Sequence, residues 1–129
     1  MSLSPAQMSG KVAGRVIRSI TLLDDSLTFR FDNARLILSD RRPDCCEYRY
    51  LRTDDDLHQF IGASIIDMGV SETPQEEIIE PRRNVENPYH TAQFLRVLTT
   101  QGVLVISVHN DHNGYYEGIT LRGEYQETP

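Results

Sequence analysis

The sequence predicts an α+β domain with a single, mostly antiparallel sheet of about six strands and one to three short helices. Three observations favour this class: runs of alternating apolar and polar residues, two Gly-containing turn signals in the last third, and a compact helical pattern after Thr53. A chain of 129 residues suits one domain. We expect residues 1–9 to form a flexible leader and residues 10–126 to form the domain.

The first third predicts a helix followed by a hairpin. Apolar residues recur at helical spacing from Gly10 to Ile20, which predicts a short helix that runs into extended chain at Thr21 to Leu23. In "SLTFRFDNARLILS", a two-residue turn at Asp32-Asn33 sets Arg30 against Arg35, but it also aligns three apolar pairs. These pairs are Phe31 with Ala34, Phe29 with Leu36, and Leu27 with Leu38.

The middle third predicts two strands around a short helix. "CCEYRYLR" and "SIIDMGV" are typical of strands, and "TDDDLHQFIG" predicts a helix in which Thr53 caps the amide of Asp56 and Gly62 ends the helix. Leu57, Phe60 and Ile61 would form its apolar face. The acids of "DDD" also resemble a cation site, but a helix start is favoured because acids complement the helix dipole.

Residues 71–90 predict a long connection. The stretch "SETPQEEIIEPRRNVENPYH" contains three prolines and only one helical fragment, Pro74 to Glu80, with Thr73 and Glu76 as its capping pair. Connections of this length are usually functional or disordered.

The last third predicts a three-stranded meander. "TAQFLRVLTTQGVLVISVHNDHNGYYEGITLRGE" has turn signals at Gln101-Gly102 and Asn113-Gly114 between alternating runs. Two-residue turns would give one buried face with these cross-strand pairs: Leu95 with Val108, Val97 with Ile106, Val108 with Ile119, and Ile106 with Leu121.

Towards the Asn-Gly tip, polar side chains replace apolar ones on the same face. Gln93 would lie beside Asn110 and Glu117, and Thr91 beside His112 and Tyr115. A sheet end of this kind is typical of a pocket, so the candidate ligand-binding residues are Gln93, Asn110, His112, Tyr115 and Glu117. The alternative interpretation is a hairpin tip whose polar side chains meet solvent.

The residue types present do not predict a cofactor or a metal. The two histidines of the tip would lie on opposite faces of the sheet, with His109 beside Phe94 and Gly118 on the reverse face and His112 on the core face. The adjacent Cys45 and Cys46 lack a C-x-x-C spacing and are expected to be reduced thiols. The net charge of −6, without a basic cluster, excludes a nucleic-acid footprint. We expect a cytoplasmic protein that binds neither nucleic acid nor membrane.

Three stretches resemble a family of small uncharacterised bacterial and phage proteins, a domain of unknown function. They are "DCCEYRY", "TDDDLHQFIG" and "HNDHNGYYEG", of which Cys45-Cys46-Glu47 and Asn113 to Tyr116 are the most specific parts. The resemblance implies a mixed α+β domain and a prophage or mobile-element origin. It implies no activity, cofactor or catalytic residue.

Two classes of function remain. The first is a non-catalytic binding or interaction module whose partner is a second copy or another protein, because the chain has no nucleophile motif, phosphate loop, dinucleotide fingerprint or metal spacing. The alternative is a small metal-assisted or acid-base hydrolytic enzyme at the meander tip. There His112 would be the base or a ligand, Glu117 its carboxylate partner, and Tyr115 and Asn110 the positioning groups; a variant would use Cys45 or Cys46 as nucleophile.

Overall fold

The computed structural model of the protein describes residues 2–43, 47–72, 90–111 and 118–128. These contain one α-helix, one short 3-10 helix at Leu57–Phe60 and eight strands. The elements are α1 (Pro5–Val12), β1 (Ser19–Leu22), β2 (Leu27–Arg30), β3 (Ala34–Ser39), β4 (Tyr48–Arg52), β5 (Ile65–Glu72), β6 (His90–Thr99), β7 (Gly102–Asp111) and β8 (Arg122–Glu127).

The strands form two four-stranded antiparallel sheets and not one sheet of six strands, so that part of the predicted fold is wrong. The first sheet has the order β1-β2-β3-β8 and the second the order β4-β7-β6-β5. The chain changes sheet between β3 and β4 and returns between β7 and β8. A strand has two edges, and both edges of β7 are taken, by β4 and β6. The predicted pairing of the last segment with β7 is therefore wrong, and β8 pairs with β3.

The β2–β3 hairpin has the predicted register. Phe29 lies opposite Leu36 and Leu27 opposite Leu38, and all four side chains are fully buried. The Phe31 amide donates to the Ala34 carbonyl at 2.8 Å, which closes the turn. The apolar matches outweigh the two arginines that face each other in the same ladder.

The first helix begins earlier than predicted. Ser4 and Gln7 form a capping box and Pro5 follows the cap, so the helix is α1 and not residues 10–20. The chain leaves helical geometry at Ala13, whose ψ is 130°, Gly14 follows with a φ of +86°, and Val16 forms a bridge with Ser64.

Part of the expected leader packs on the first sheet. Leu3 is buried and pairs with Gly123, and Met8 on α1 is fully buried. The domain limits of 10–126 stay a prediction.

The acid-rich segment after β4 forms less helix than predicted. Asp56, and not Thr53, caps the 3-10 helix by accepting from the His58 amide at 3.1 Å. The Thr53 hydroxyl donates to the Val105 carbonyl at 2.7 Å, and the Asp55 carboxylate accepts from the Val105 amide at 2.9 Å. Short polar side chains often bond to backbone in this way in place of continuing a helix. Phe60 is buried and Gly62 has a φ of +92°, as predicted. Ile61, predicted to lie on the same apolar face as Phe60, is exposed.

The β6–β7 hairpin buries the predicted face in a register shifted by two residues. Leu95 faces Ile106 and not Val108, and Val97 faces Leu104 and not Ile106. The turn is Thr100-Gln101, because the Thr99 hydroxyl donates to the Gly102 carbonyl at 2.8 Å and accepts from the Gln101 amide at 3.0 Å. A two-residue shift leaves every side chain on its original face. The buried members of the predicted face are Leu95, Val97, Ile106, Val108 and Leu121, and Ile119 is half-buried.

The inner faces of both sheets and α1 share one hydrophobic core. Met8 and Val12 of α1 contribute to it, as do Leu36 of β3 and Ile106 of β7. The outer face of the second sheet is the face turned away from this core.

Ser9 on α1 fastens the helix to the edge strand β5. Its hydroxyl donates to the Asp67 carboxylate at 2.7 Å and accepts from the Met68 amide at 3.1 Å. The Ser9 hydrogen bond, followed by the Met68 amide, lowers the pKa of Asp67 below its ordinary value.

We expect Ser9→Ala to raise the pKa of Asp67 towards its ordinary value, as measured by NMR titration of the carboxyl carbon. Because the folded-state pKa is depressed, the stabilisation from this contact is present above the unfolded-state pKa and is lost as the pH falls through the folded-state value. Asp32, whose pKa is lowered by its hydrogen bond with Arg18, is the internal control and should not respond. An unchanged Asp67 midpoint in the variant would contradict this assignment.

Candidate functional site

The structure describes two of the five predicted ligand-binding residues. Asn110 on β7 and Gln93 on β6 lie on the face that carries the core. Gln93 faces Val108 and Asn110 faces Thr91, so the two candidates are diagonal neighbours and not the predicted direct pair. The other predictions at this end fall outside the described residues: His112, Tyr115 and Glu117, the Asn113-Gly114 turn, Cys45 and Cys46, and the helical fragment 74–80.

A buried arginine lies directly opposite Asn110. Register places Arg49 of β4 against Asn110, and only 3% of the Arg49 side chain is exposed. Its Nη1 donates to Asp40 at 2.6 Å, and its Nη2 and Nε donate to the two carboxylate oxygens of Glu47 at 2.8 and 3.2 Å. Arg49 and Glu47 thus form a two-point pair, a geometry that fixes orientation as well as charge.

Asp40 links the two connections by which the chain changes sheet. It follows β3, and its Oδ1 accepts from the Arg41 amide at 2.8 Å and from the Thr120 amide at 2.9 Å. Its Oδ2 accepts from Arg49 on the second sheet. One carboxylate therefore holds the outgoing connection, the returning connection and β4 together.

Glu47 joins this group to the predicted site. Asn110 Nδ2 donates to Glu47 Oε2 at 3.2 Å, and Arg41 Nη2 donates to the same oxygen at 3.1 Å. Asn110 Nδ2 also lies 3.5 Å from the Gly118 carbonyl. We call Asp40, Glu47, Arg49 and Asn110 the crossover cluster.

The electrostatics of the crossover cluster keep Arg49 charged. Burial lowers the pKa of Arg49, but the hydrogen bonds and charges of Glu47 and Asp40 raise it by more than burial lowers it. The pKa of Arg49 is therefore above its ordinary value. The Glu47 side chain is fully buried and that of Asp40 is 3% exposed. Arg41, at the edge of the cluster, brings a second positive charge to Glu47.

A small cavity adjoins the cluster. It has a volume of about 220 Å³ and is lined by Arg49, Arg41 and Arg42, with Asp25, Ser39 and Leu51 among its other walls.

The outer face of the second sheet carries an aromatic group at the same end. His109 stacks on Tyr50 with ring centres 4.7 Å apart and planes 10° apart, and Tyr48 lies 4.8 Å from Tyr50. His109 Nε2 lies 2.8 Å from the Ser107 hydroxyl. His109 lies on the face opposite Asn110, as predicted, but it faces Ala92 and not Phe94.

At its other end, the outer face carries exposed apolar side chains. Ile66, Leu98 and Val103 are 52%, 41% and 43% exposed. Leu98 faces Val103 on β7 and Asp67 on β5, and Ile66 occupies the irregularity in β5 next to Asp67. These residues, with Asp67, Gly69 and Arg96, are called the outer patch. A groove of about 370 Å³ runs along this part of the sheet.

Residues 2–43, 47–72, 90–111 and 118–128 contain neither a metal-binding group nor a membrane-spanning helix. No group of three or more His, Cys, Asp or Glu side chains is placed to hold a metal ion. Neither helix of that part of the chain has the length and apolar character needed to cross a bilayer.

Arg49 and Asp40 were not among the residues predicted from the sequence. One signal was present, because Glu47 and Arg49 are two residues apart in a predicted strand and so share a face. No local pattern points to Asp40, which reaches Arg49 only after the chain has changed sheet.

The comparisons with known proteins give a family and nothing more specific. The family described as a domain of unknown function (DUF7448) matches residues 10–120. No curated protein and no solved structure matches the chain.

Proposed function

Because this chain belongs to the DUF7448 family, a domain of unknown function, we propose its function from the geometry: it is a non-catalytic interaction module that self-associates through the outer patch. The observation that supports this most is the exposure of Leu98 and Val103, which face each other on the outer face of the sheet, with the exposed Ile66 next to Asp67 in the irregularity of β5. Antiparallel sheets with one solvated face usually carry polar side chains there. Adjoining exposed apolar side chains are instead typical of contact surfaces.

The charges of the outer patch favour a second copy as the partner. Arg96 and Asp67 lie on the same patch, and Arg96 faces Gly69 across the β5–β6 ladder. In a two-fold dimer the same patch meets itself, so Arg96 of one copy can approach Asp67 of the other. A chain of net charge −6 repels its copies, and a patch with both signs is where that repulsion is weakest.

The backbone around the outer patch leaves room for a partner. β5 is at the edge of its sheet, and the described ladder pairs Gly69 and Val70 with β6 only. An added Cβ at Gly69 would meet no atom within 4 Å, so the groove is open at that point. Open edges and open grooves are places where another chain can pack.

We expect the protein to form a dimer whose dissociation constant rises more than tenfold in Leu98→Asp, measured by sedimentation equilibrium over a range of protein concentrations. The replacement removes an apolar side chain from the interface and adds a second acid beside Asp67, and loss of one buried leucine alone corresponds to about 1.5 to 3 kcal/mol.

Leu23→Asp is the matched control, because Leu23 is 57% exposed and lies in the turn between β1 and β2, away from the outer patch. It should dimerise like the parent. A parent protein that stays monomeric up to millimolar concentration, or a Leu98→Asp variant that dimerises normally, would contradict the proposal.

The alternative is a small acid-base or metal-assisted hydrolase that uses Gln93, Asn110, His112, Tyr115 and Glu117. One observation supports a polar site at that end: Asn110 donates to the buried Glu47. Glu47, however, is engaged by Arg49 through two hydrogen bonds and so acts as a positioning group and not as a base. This favours binding over catalysis.

For the cellular setting, we propose a cytoplasmic, prophage-derived protein, supported by the adjacent cysteines and by the resemblance of the Cys-Cys-Glu and Asn-Gly-Tyr-Tyr stretches.

A further inference from the structure

We infer that the cavity beside Arg49 is a binding site for a small oxyanion, either a carboxylate or a phosphate. This site lies at the connection between the sheets, away from the outer patch, so the inference does not depend on self-association.

Arg49 has hydrogen-bond donors that its partners in the protein do not use. A guanidinium has five N–H donors, and Arg49 uses three of them, on Asp40 and Glu47. The other two donate to no residue that the structure describes, although only 3% of the side chain is exposed. Buried donors without acceptors destabilise a protein, and an oxyanion in the adjoining cavity would supply acceptors.

The neighbouring acid, Asp40, is already hydrogen-bonded. Asp40 also lines the cavity, but its oxygens accept from Arg49 and from two backbone amides. Arg42, in contrast, is exposed at the rim, and its side chain makes no hydrogen bond or ion pair within the described part of the chain. The cavity therefore offers one buried and one exposed guanidinium to a ligand, and two guanidinium groups are well suited to bind a carboxylate or phosphate.

The size and the remaining walls restrict the ligand. A volume of about 220 Å³ is smaller than the roughly 300 to 1,000 Å³ of pockets for drug-sized ligands. The Asp25 carboxylate and the Ser39 hydroxyl, also in the wall, can accept from a hydroxyl or ammonium group on the ligand. The geometry suits a small oxyanion that also carries a hydrogen-bond donor.

The test is an NMR titration of the Arg49 Nε–H resonance at constant ionic strength, with inorganic phosphate and lactate added separately. We expect a saturable shift with a millimolar dissociation constant for at least one of them. Arg42→Gln should weaken that binding at least fivefold. Arg30→Gln, which removes an exposed arginine from β2, should leave it unchanged.

The two probes separate the two sources of the oxyanion. Saturation by phosphate alone identifies a phosphate site, saturation by lactate alone identifies a carboxylate site, and saturation by both identifies a general oxyanion site. Absence of saturation with both probes, or equal effects of the Arg42 and Arg30 variants, would overturn the inference.

Discussion

Replacing Arg49 with alanine is expected to lower the free energy of unfolding by about 3 to 5 kcal/mol, because removal of one member of a buried ionic group leaves the others buried and uncompensated. In this variant Asp40 would lose its charged partner and Glu47 would keep only Arg41 at the edge of the cluster, while the two carboxylate side chains are 3% and 0% exposed. Denaturant unfolding monitored by circular dichroism measures the change.

Arg18→Ala is the matched control for this experiment. It removes an equally short hydrogen bond, 2.7 Å to Asp32, but both side chains are more than half exposed. Solvent screens exposed pairs, so little change in stability is expected. In a Glu47→Gln background, the Arg49 replacement should be less destabilising, because one of the stranded charges is gone. Equal effects of the Arg49 and Arg18 variants would show that the crossover cluster is not buried as described.

Replacing Ile106 with alanine is expected to destabilise the protein by about 2 to 5 kcal/mol, the usual range for truncating a buried aliphatic side chain. Ile106 is fully buried in β7, a central strand of the second sheet, and faces Leu95. The measurement is again the free energy of unfolding in denaturant.

Val103→Ala in the same strand tests the assignment of faces. Val103 is 43% exposed on the outer face, so at dilute protein concentration its truncation should change stability by about 0.5 kcal/mol or less. If the Val103 variant were the more destabilised of the two, the inner and outer faces of β7 would be exchanged.

Local patterns were enough to predict the β2–β3 and β6–β7 hairpins and their buried faces. The Asp32-Asn33 turn and three apolar pairs determine the β2–β3 register, and that register is confirmed. In β6–β7 the turn was placed one residue late, which moved the pairing by two residues but kept each side chain on its face. The alternation of apolar and polar residues therefore indicates which face of a strand is buried more reliably than it indicates which residues pair across the ladder.

The choice of partner for each strand was not predictable, because it is a property of the whole chain. The last segment has the alternation of a meander strand, but both edges of β7 are already paired. β8 pairs with β3, where Ala34 lies opposite Glu127. The residues of β3 and β8 carry no pattern that indicates this long-range pairing. Strands that are consecutive in the chain usually pair with each other, so the sequence favours a short connection.

For the candidate site, the face on which its residues lie was predictable, but their hydrogen-bond partners were not. The appearance of Gln93 and Asn110 on an otherwise apolar face was visible as a break in alternation, and both lie on that face in the structure. Asn110 donates to Glu47, which precedes β4, and Arg49 of β4 links Glu47 to Asp40 after β3, a contact made only because the chain changes sheet. These contacts could not be predicted without the sheet topology.

The pairing of β8 with β3 also has a kinetic consequence. β1, β2 and β3 are adjacent in the chain and can pair as soon as they are made, but β3 stays without its second neighbour until β8 has been synthesised. About 80 residues separate the two strands, which corresponds to roughly 4 to 16 s of translation at about 5 to 20 residues per second. During that interval a nascent chain exposes an open strand edge, and nascent chains on neighbouring ribosomes can pair there. In the second sheet β4 also waits for its neighbour β7, but only about 50 residues separate these two strands, so that delay is shorter.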